Sequence, residues 1–305
     1  DDVKRLLQYA FQTENELTIP LSAPGSAGME AAFVNLLQCG DKVIVCQNGV
    51  FGGRMKENVE RCGATAIMVT DRWGDPVDPE KLEAAIKAHP DAKVVAFVHA
   101  ETSTGVRSDA ETLCRLAKSA GMLVIMDAVT SLAGIDLKAD AWGADVVYSG
   151  TQKCLSGLPG ISPITFSDDA VSAIQARTQK VQSWFLDMNL IMGYWGEGAK
   201  RSYHHTAPVN AIYALHEALL MLEEESLEAS IARHQDNHVT LAAGLSKLGL
   251  DLAVSEPWRL PQLNSVLIPQ GIDDATIRAR LLNEFDLEVG AGLGAGSRRD
   301  RHACR

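Results

Sequence analysis

The chain lacks a surplus of positive charge. Its 305 residues carry 28 lysines and arginines against 39 aspartates and glutamates, a formal net charge of −11. Binding a phosphate backbone depends on clustered cations that release counterions, so nucleic acid is excluded as the main partner. No apolar run reaches the roughly 20 residues that a membrane-spanning helix needs. The opening residues have no basic leader and no long apolar stretch, so they do not read as a signal peptide. Six cysteines (Cys39, Cys46, Cys62, Cys114, Cys154 and Cys304) are scattered with no C-x-x-C pair. That spacing suits neither a disulfide framework nor a zinc site, and fits reduced thiols in a cytoplasmic protein. Internal repeats and low-complexity tracts are also missing from the sequence.

What is present is ordinary for a globular enzyme: 46% apolar and 22% charged residues. The length allows a large core and suggests one large unit with a smaller one. Val3, Leu6, Leu7, Ala10 and Phe11 make the first residues an amphipathic helix. The chain thus starts inside a structural element, which leads us to expect a further segment upstream. Short β-rich runs recur at 42–46, 64–70, 92–99, 122–127, 145–149 and 161–166, with helical patterns such as 79–87 and 110–120 between most of them. Alternation of this kind predicts an α/β fold with a mostly parallel sheet covered on both faces. Beyond Ser167 the pattern changes to long helices at 208–225 and 227–248. A β run at 265–268, a helix at 273–284 and a short run at 287–289 follow. We expect a large domain over 1–205, and over 206–305 connecting helices with a smaller, incomplete α+β domain.

Two strand ends carry the chemistry. Val124-Ile-Met-Asp127 and Val146-Val-Tyr-Ser-Gly-Thr-Gln-Lys153 are apolar runs that finish on a charge, 26 positions apart. In open α/β sheets, ligands sit at the carboxyl ends of strands. An amine and a carboxylate delivered there match pyridoxal phosphate: the amine forms a Schiff base with the aldehyde, and the carboxylate pairs with the pyridinium nitrogen. Taken singly, Asp127 reads as a helix cap and Lys153 as a solvated loop lysine. The break at Ser149-Gly150, followed at once by Gln152-Lys153, favours a lysine held at the sheet edge and partly desolvated.

Other stretches are weaker alone. Pro24-Gly25-Ser26-Ala27-Gly28 opens a helix whose first N–H groups suit a phosphate, although most such turns are only helix starts. His99-Ala-Glu101-Thr102-Ser103-Thr104-Gly105 reads as a capped turn or as a loop at the cofactor edge. Tyr203-His204-His205-Thr206 does not read as a metal site, because adjacent residues of an extended segment point apart and no third ligand follows.

Taken in order, Gly25-Ser26, Asn48-Gly-Val-Phe51-Gly52, Glu101-Thr-Ser-Thr-Gly105, Asp127-Ala-Val-Thr-Ser131, Ser149-Gly-Thr-Gln-Lys153 and Tyr203-His-His-Thr206 resemble the class V aminotransferases of fold type I. The nearest resemblance is to the alanine–glyoxylate and serine–pyruvate aminotransferase group, over roughly residues 1 to 294. It implies that Lys153 carries pyridoxal 5'-phosphate covalently and is the catalytic base. Asp127 would pair with the ring nitrogen and Val129 would pack on the ring. Phe51 stands where a tryptophan commonly stacks, and Thr102 where a serine is common. Gly25, Ser26 and Gln152 would surround the phosphate. Tyr203 and Thr206 would reach the neighbouring subunit's phosphate, implying a homodimer with shared sites.

Three departures stand out. Pro24 replaces the usual serine and offers no N–H. The family's N-terminal cover of the substrate site is expected upstream of Asp1. At the other end Val289-Gly-Ala-Gly-Leu-Gly294 resembles the approach to a strand bearing a carboxylate-binding arginine, but residues 295–305 form a polar tail. Neither Arg298 nor Arg299 has the expected context, and a frameshifted or truncated terminus is our expectation. The function expected is transamination between alanine or serine and glyoxylate or pyruvate. Two alternatives stand beside it: a class V lyase or cysteine desulfurase, which would need a reactive cysteine such as Cys154 or Cys304, and a cofactor-binding remnant without turnover.

Overall fold

The computed structural model describes residues 2–195 and 202–293, and the backbone of 303–304. The first helix, α1 (Asp2–Phe11), buries Leu6, Leu7, Ala10 and Phe11, the stripe its apolar spacing predicts. Strands and helices then alternate: β1 (Leu17–Leu21), α2 (Gly25–Leu36), β2 (Lys42–Gln47), α3 (Val50–Arg61), β3 (Thr65–Thr70), α4 (Pro79–Ala88) and β4 (Val94–Val98). A small hairpin, β5 (Ala100–Glu101) with β6 (Val106–Arg107), precedes α5 (Ala110–Ser119) and β7 (Leu123–Asp127). Next come α6 (Ala139–Trp142), β8 (Val146–Tyr148), β9 (Ser162–Phe166), α7 (Asp168–Gln175) and α8 (Met188–Trp195). The remaining elements are α9 (Val209–Glu225), α10 (Leu227–Lys247), β10 (Val266–Leu267), α11 (Asp274–Phe285) and β11 (Ala303–Cys304).

Seven strands form one sheet in the order β1-β9-β8-β7-β4-β2-β3. Strands β8, β7, β4, β2 and β3 pair in parallel, and β9 runs antiparallel to both its neighbours. Side chains alternate across the sheet, so each inner strand feeds two cores. Ile44 and Cys46 join Val95, Phe97, Val124 and Met126 against α1, α4, α5 and α9. Val43 and Val45 join Val94, Ala96, Ile125 and Tyr148 against α2, α3 and α7. Burial on both faces is what the continuous apolar runs of the sequence predicted.

Several helices carry their own cap, and the two that open onto the sheet edge do not. Asp78, Asp109, Ser167 and Asp273 each cap their own helix with a side-chain oxygen. The helices α2 and α3 begin after Pro24 and Gly49 and have no such cap. Both follow the carboxyl ends of strands, where a ligand would meet their first-turn N–H groups.

The structure departs from the sequence reading at several elements, among them the β5–β6 hairpin and two strands. Strand β1 was not anticipated, and it pairs with β9 so that Pro20 faces Pro163. The run Leu287–Val289 is not a strand; no strand lies beside it among the described residues, and an unpaired strand leaves its backbone groups unsatisfied.

Candidate active site

Strand β7 ends on Asp127 and β8 ends on Tyr148, and the two residues are register partners. A cavity of about 180 Å³ opens at this edge. Eight sequence-predicted residues line it: Gly25, Ser26, Phe51, Thr102, Asp127, Val129, Gln152 and Lys153. Pro24, Met29 and Arg54 complete the wall.

Asp127 is 3% exposed. Its Oδ1 accepts from the Val129 N–H at 2.8 Å and its Oδ2 accepts from the Tyr148 hydroxyl at 2.9 Å. Burial pushes the Asp127 carboxyl up to about 7, and the charge of Glu101 adds to that rise. The two donors and the Arg54 guanidinium act in the opposite direction. Desolvation leads, as expected for a carboxylate without a cationic partner in contact. Tyr148 is fully buried, and burial beside Asp127 pushes its phenol well above the usual range.

Lys153 is half-buried in the loop after β8. Four hydrogen bonds help to hold that loop. Ser149 Oγ donates to Ala128 O at 2.9 Å, which ties the loop's start to the Asp127 turn. Thr151 Oγ1 bonds to the carbonyls of Leu158 and Ile161, and the Gly157 N–H donates to Thr151 O at 2.8 Å. The lysine therefore stands on a fixed base, although the segment is not regular structure.

Helix α2 comes close to this base. A Cβ on Gly25 would lie 3.2 Å from Val129 Cγ2 and 3.3 Å from Ser149 O, so a side chain there would need those neighbours to give by a few tenths of an ångström. At the opposite wall, the Arg54 guanidinium lies 4.9 Å from the centre of the Phe51 ring, and Arg54 Nη1 donates to Ser26 Oγ at 3.2 Å. Thr102 Oγ1 meets Thr130 Oγ1 at 2.5 Å. One carboxylate and two cations, Lys153 and Arg54, thus face a single small cavity.

Tyr203 and Thr206 are not brought into this cavity. Both are exposed, Tyr203 at 78%, and their hydroxyls pair with each other at 3.0 Å. His204 and His205 join through their Nδ1 atoms at 2.7 Å, within an aromatic cluster that includes Trp184 and Phe185. No group of three metal-binding side chains occurs among the described residues. Cys154 does not line the cavity; its Sγ donates to Thr130 O, and burial pushes its thiol up to about 11. That is the wrong direction for a nucleophilic cysteine. Arg298, Arg299, Gly294 and the side chain of Cys304 lie outside the described residues.

Sequence reasoning missed Arg54, Tyr148 and Met29. Arg54 follows Phe51 by three positions on the first turn of α3, a spacing that puts both on one face and was available as a signal. Tyr148 could have been found from the parallel pairing of two strands that end together. Met29 sits one turn beyond Gly25 in α2 and carries no chemical signal of its own.

Known proteins resemble this chain over most of its length. The family model for class-V aminotransferases matches residues 1–296. The alanine–glyoxylate aminotransferase of Oryctolagus cuniculus is 38% identical over 296 residues, covering 96% of this chain and 75% of the relative. The (S)-ureidoglycine–glyoxylate transaminase of Bacillus subtilis (strain 168) is 32% identical, covering 96% of this chain and 74% of its own. The crystal structure of an alanine–glyoxylate aminotransferase from Nostoc sp. superposes with a TM-score of 0.95 at 43% identity, covering all of this chain and 79% of that one. The chain belongs to the class-V aminotransferases.

Proposed function

We propose that this aminotransferase works with pyridoxal 5'-phosphate. It moves the amino group of alanine or serine to a small 2-oxo acid, glyoxylate or pyruvate. The observation that carries the reading is the placement of a half-buried amine, Lys153, and a buried carboxylate, Asp127, on one cavity. The residues present fit the cofactor. Asp127 is pushed up to about 7 where a pyridinium would restore its charge. Gly25 lets the uncapped start of α2 sit close to Val129 and Ser149, with Ser26 and Arg54 there for a phosphate.

When bound, the cofactor supplies an aldehyde that receives the amino group and a ring that accepts negative charge. Asp127 would keep the ring nitrogen protonated, with Val129 N–H and Tyr148 holding the carboxylate in place. Phe51 and Val129 would cover the two ring faces and exclude water. The Thr102 hydroxyl would orient the ring, and Gln152 would contact the phosphate. Lys153 would hold the cofactor through Nζ. Freed by the incoming amine, Lys153 would serve as the general base at the substrate Cα.

Glyoxylate is the favoured acceptor because the curated relatives named above act on it by name. The pairing of exposed Tyr203 with Thr206, outside their own chain's cavity, supports a homodimer in which each subunit completes its partner's site. Residues 1–205 would form the cofactor domain and 206–305 a smaller one. The five cysteines whose side chains are described are free, which suits a reducing cytoplasm; no helix among the described residues is long and apolar enough to cross a membrane.

The test is Lys153→Ala with alanine and glyoxylate. Turnover should vanish while the protein stays folded and still binds the cofactor non-covalently. Full activity in that variant would overturn the assignment.

A further inference from the structure

We propose that Glu101 is a positioning residue of this site. Its carboxylate caps the helix that carries Phe51 and Arg54, and so locks that wall to the turn that carries Thr102. The inference deepens the cofactor reading above and rests on it.

Helix α3 starts at Val50, and its N-cap residue Gly49 has no side chain to offer. The first N–H groups of a helix have no partner within the helix. Here they find partners on another element. The Phe51 N–H donates to Glu101 Oε2 at 3.2 Å, and the Val50 N–H donates to Ser103 Oγ at 2.9 Å. Ser103 in turn donates its N–H to Glu101 Oε1 at 2.9 Å and its hydroxyl to the same oxygen at 2.6 Å. Glu101 is fully buried and Ser103 is 5% exposed. A buried carboxylate is costly unless charge-assisted bonds and the positive end of a helix offset it, and this position has both.

Gly49 makes the joint possible. A Cβ there would lie 2.3 Å from Glu101 Cγ and Cδ and 2.4 Å from Ser103 Oγ. Its φ of −176° is open to any residue, so the requirement is space and not backbone freedom. Glu101 does not line the cavity, but Thr102 beside it does, and so do Phe51 and Arg54 on the capped helix. The other capped helices described above take their cap from the residue next to them in sequence. At α3 the cap comes from 50 positions away and joins two walls of the site. Its negative charge also adds to the rise at Asp127, so the joint is felt at the carboxylate.

The experiment compares full-length wild type with Glu101→Gln, Gly49→Ala, their double variant and Ser103→Ala. It measures the dissociation constant of pyridoxal 5'-phosphate, the circular dichroism per bound cofactor at saturation, and amide exchange at Val50 and Phe51. Gln turns its amide toward either the Phe51 N–H or the Ser103 N–H and hydroxyl, all of them donors, so it cannot replace the cap. Glu101→Gln and Gly49→Ala should each weaken binding about tenfold, the scale of one buried charge-assisted bond. Each should also change the dichroism, which a loss of global stability alone would not do. The double variant should be no weaker than the worse single, because both break the same joint. Ser103→Ala keeps the test open if Glu101→Gln does not fold, with a smaller change in the same direction. Unchanged affinity and dichroism in the folded variants, with wild type binding normally, would overturn the positioning role alone. Failure of wild type to bind would overturn it together with the cofactor reading, and faster exchange at Val50 and Phe51 in the variants would then report the cap by itself.

Discussion

The Tyr148 hydroxyl donates to Asp127 Oδ2 at 2.9 Å, and both side chains are buried at the ends of neighbouring parallel strands. This bond and the Val129 N–H stabilise the ionised carboxylate against a desolvation that pushes it up to about 7. Tyr148→Phe removes one donor and leaves the burial. Asp127 should then hold its proton to still higher pH. Cofactor affinity near neutral pH should fall about tenfold or more, the weight of one hydrogen bond to a charged group. Absorbance titrations of cofactor binding from pH 6 to 9 would show it. Superimposable curves for variant and wild type would remove Tyr148 from the argument.

Asp127 also sets a pH dependence of stability in the cofactor-free protein. Its carboxyl rises from 3.8 to about 7 on folding, so the folded state binds the extra proton in between. The stabilising contribution is complete below about pH 4 and is lost as pH rises through 7. His99 runs the other way. Burial presses its imidazole down from 6.5 to about 3, so its contribution is complete above pH 6.5 and is lost as pH falls toward 3. Asp127→Asn deletes the first effect and keeps the second. At pH 8 the cofactor-free variant should exceed wild type in stability by a few kcal/mol, and at pH 4 the two should be similar. Its cofactor affinity should nevertheless drop about a hundredfold, as for a broken buried charge pair. Chemical denaturation at the two pH values checks the sign, and equal differences at both would refute it.

The parallel sheet was legible because its strands are unbroken apolar runs, and the Asp127 and Lys153 edge because each run ends on one charge. Strand β1 was not, since Leu-Thr-Ile-Pro-Leu carries a proline, which reads against a strand. Only its antiparallel pairing with β9 reveals it. Glu101 and Tyr148 stood inside quoted motifs, yet their roles depend on bonds to residues 50 and 21 positions away. Sequence spacing along one element carries no trace of such contacts. The Phe51 and Arg54 pair was legible in principle, because it lies within one helical turn.

Gly28 tests how closely α2 is seated. Alanine is the better helix former by about 1 kcal/mol, so propensity alone favours Gly28→Ala. A Cβ there would lie 2.1 Å from Ser162 Oγ, 3.1 Å from Ser162 Cβ and 3.3 Å from Tyr148 Cβ. The hydroxyl can rotate, but it donates to Ser149 O at 2.7 Å and would have to give up that bond. Sterics should win, with a net loss of about 1 to 3 kcal/mol. Because the displaced groups support Tyr148 and the lysine loop, cofactor affinity should fall as well. A thermal melt with a cofactor titration would settle it, and a more stable variant would show that α2 can shift outward.

Thiol chemistry separates the transaminase from a cysteine-based enzyme. The thiolate is the reactive form, and burial pushes Cys154 up to about 11, Cys114 up to about 12 and Cys46 higher still. Cys62 is also raised, whereas Cys39 is exposed. Among these five, iodoacetamide at pH 8 should label Cys39 first and leave Cys154 largely unmodified over the same time. Mass spectrometry of the digested protein reads the order directly. Labelling of Cys39 should leave cofactor binding intact, since that residue does not line the cavity. Cys154→Ala should retain transamination, because its Sγ donates only to the Thr130 carbonyl. A desulfurase requires the reverse pattern: a fast-reacting cysteine whose replacement abolishes sulfide release from cysteine while leaving the cofactor bound. Rapid labelling of Cys154, with loss of turnover in step, would favour that chemistry over the one derived from Lys153 and Asp127.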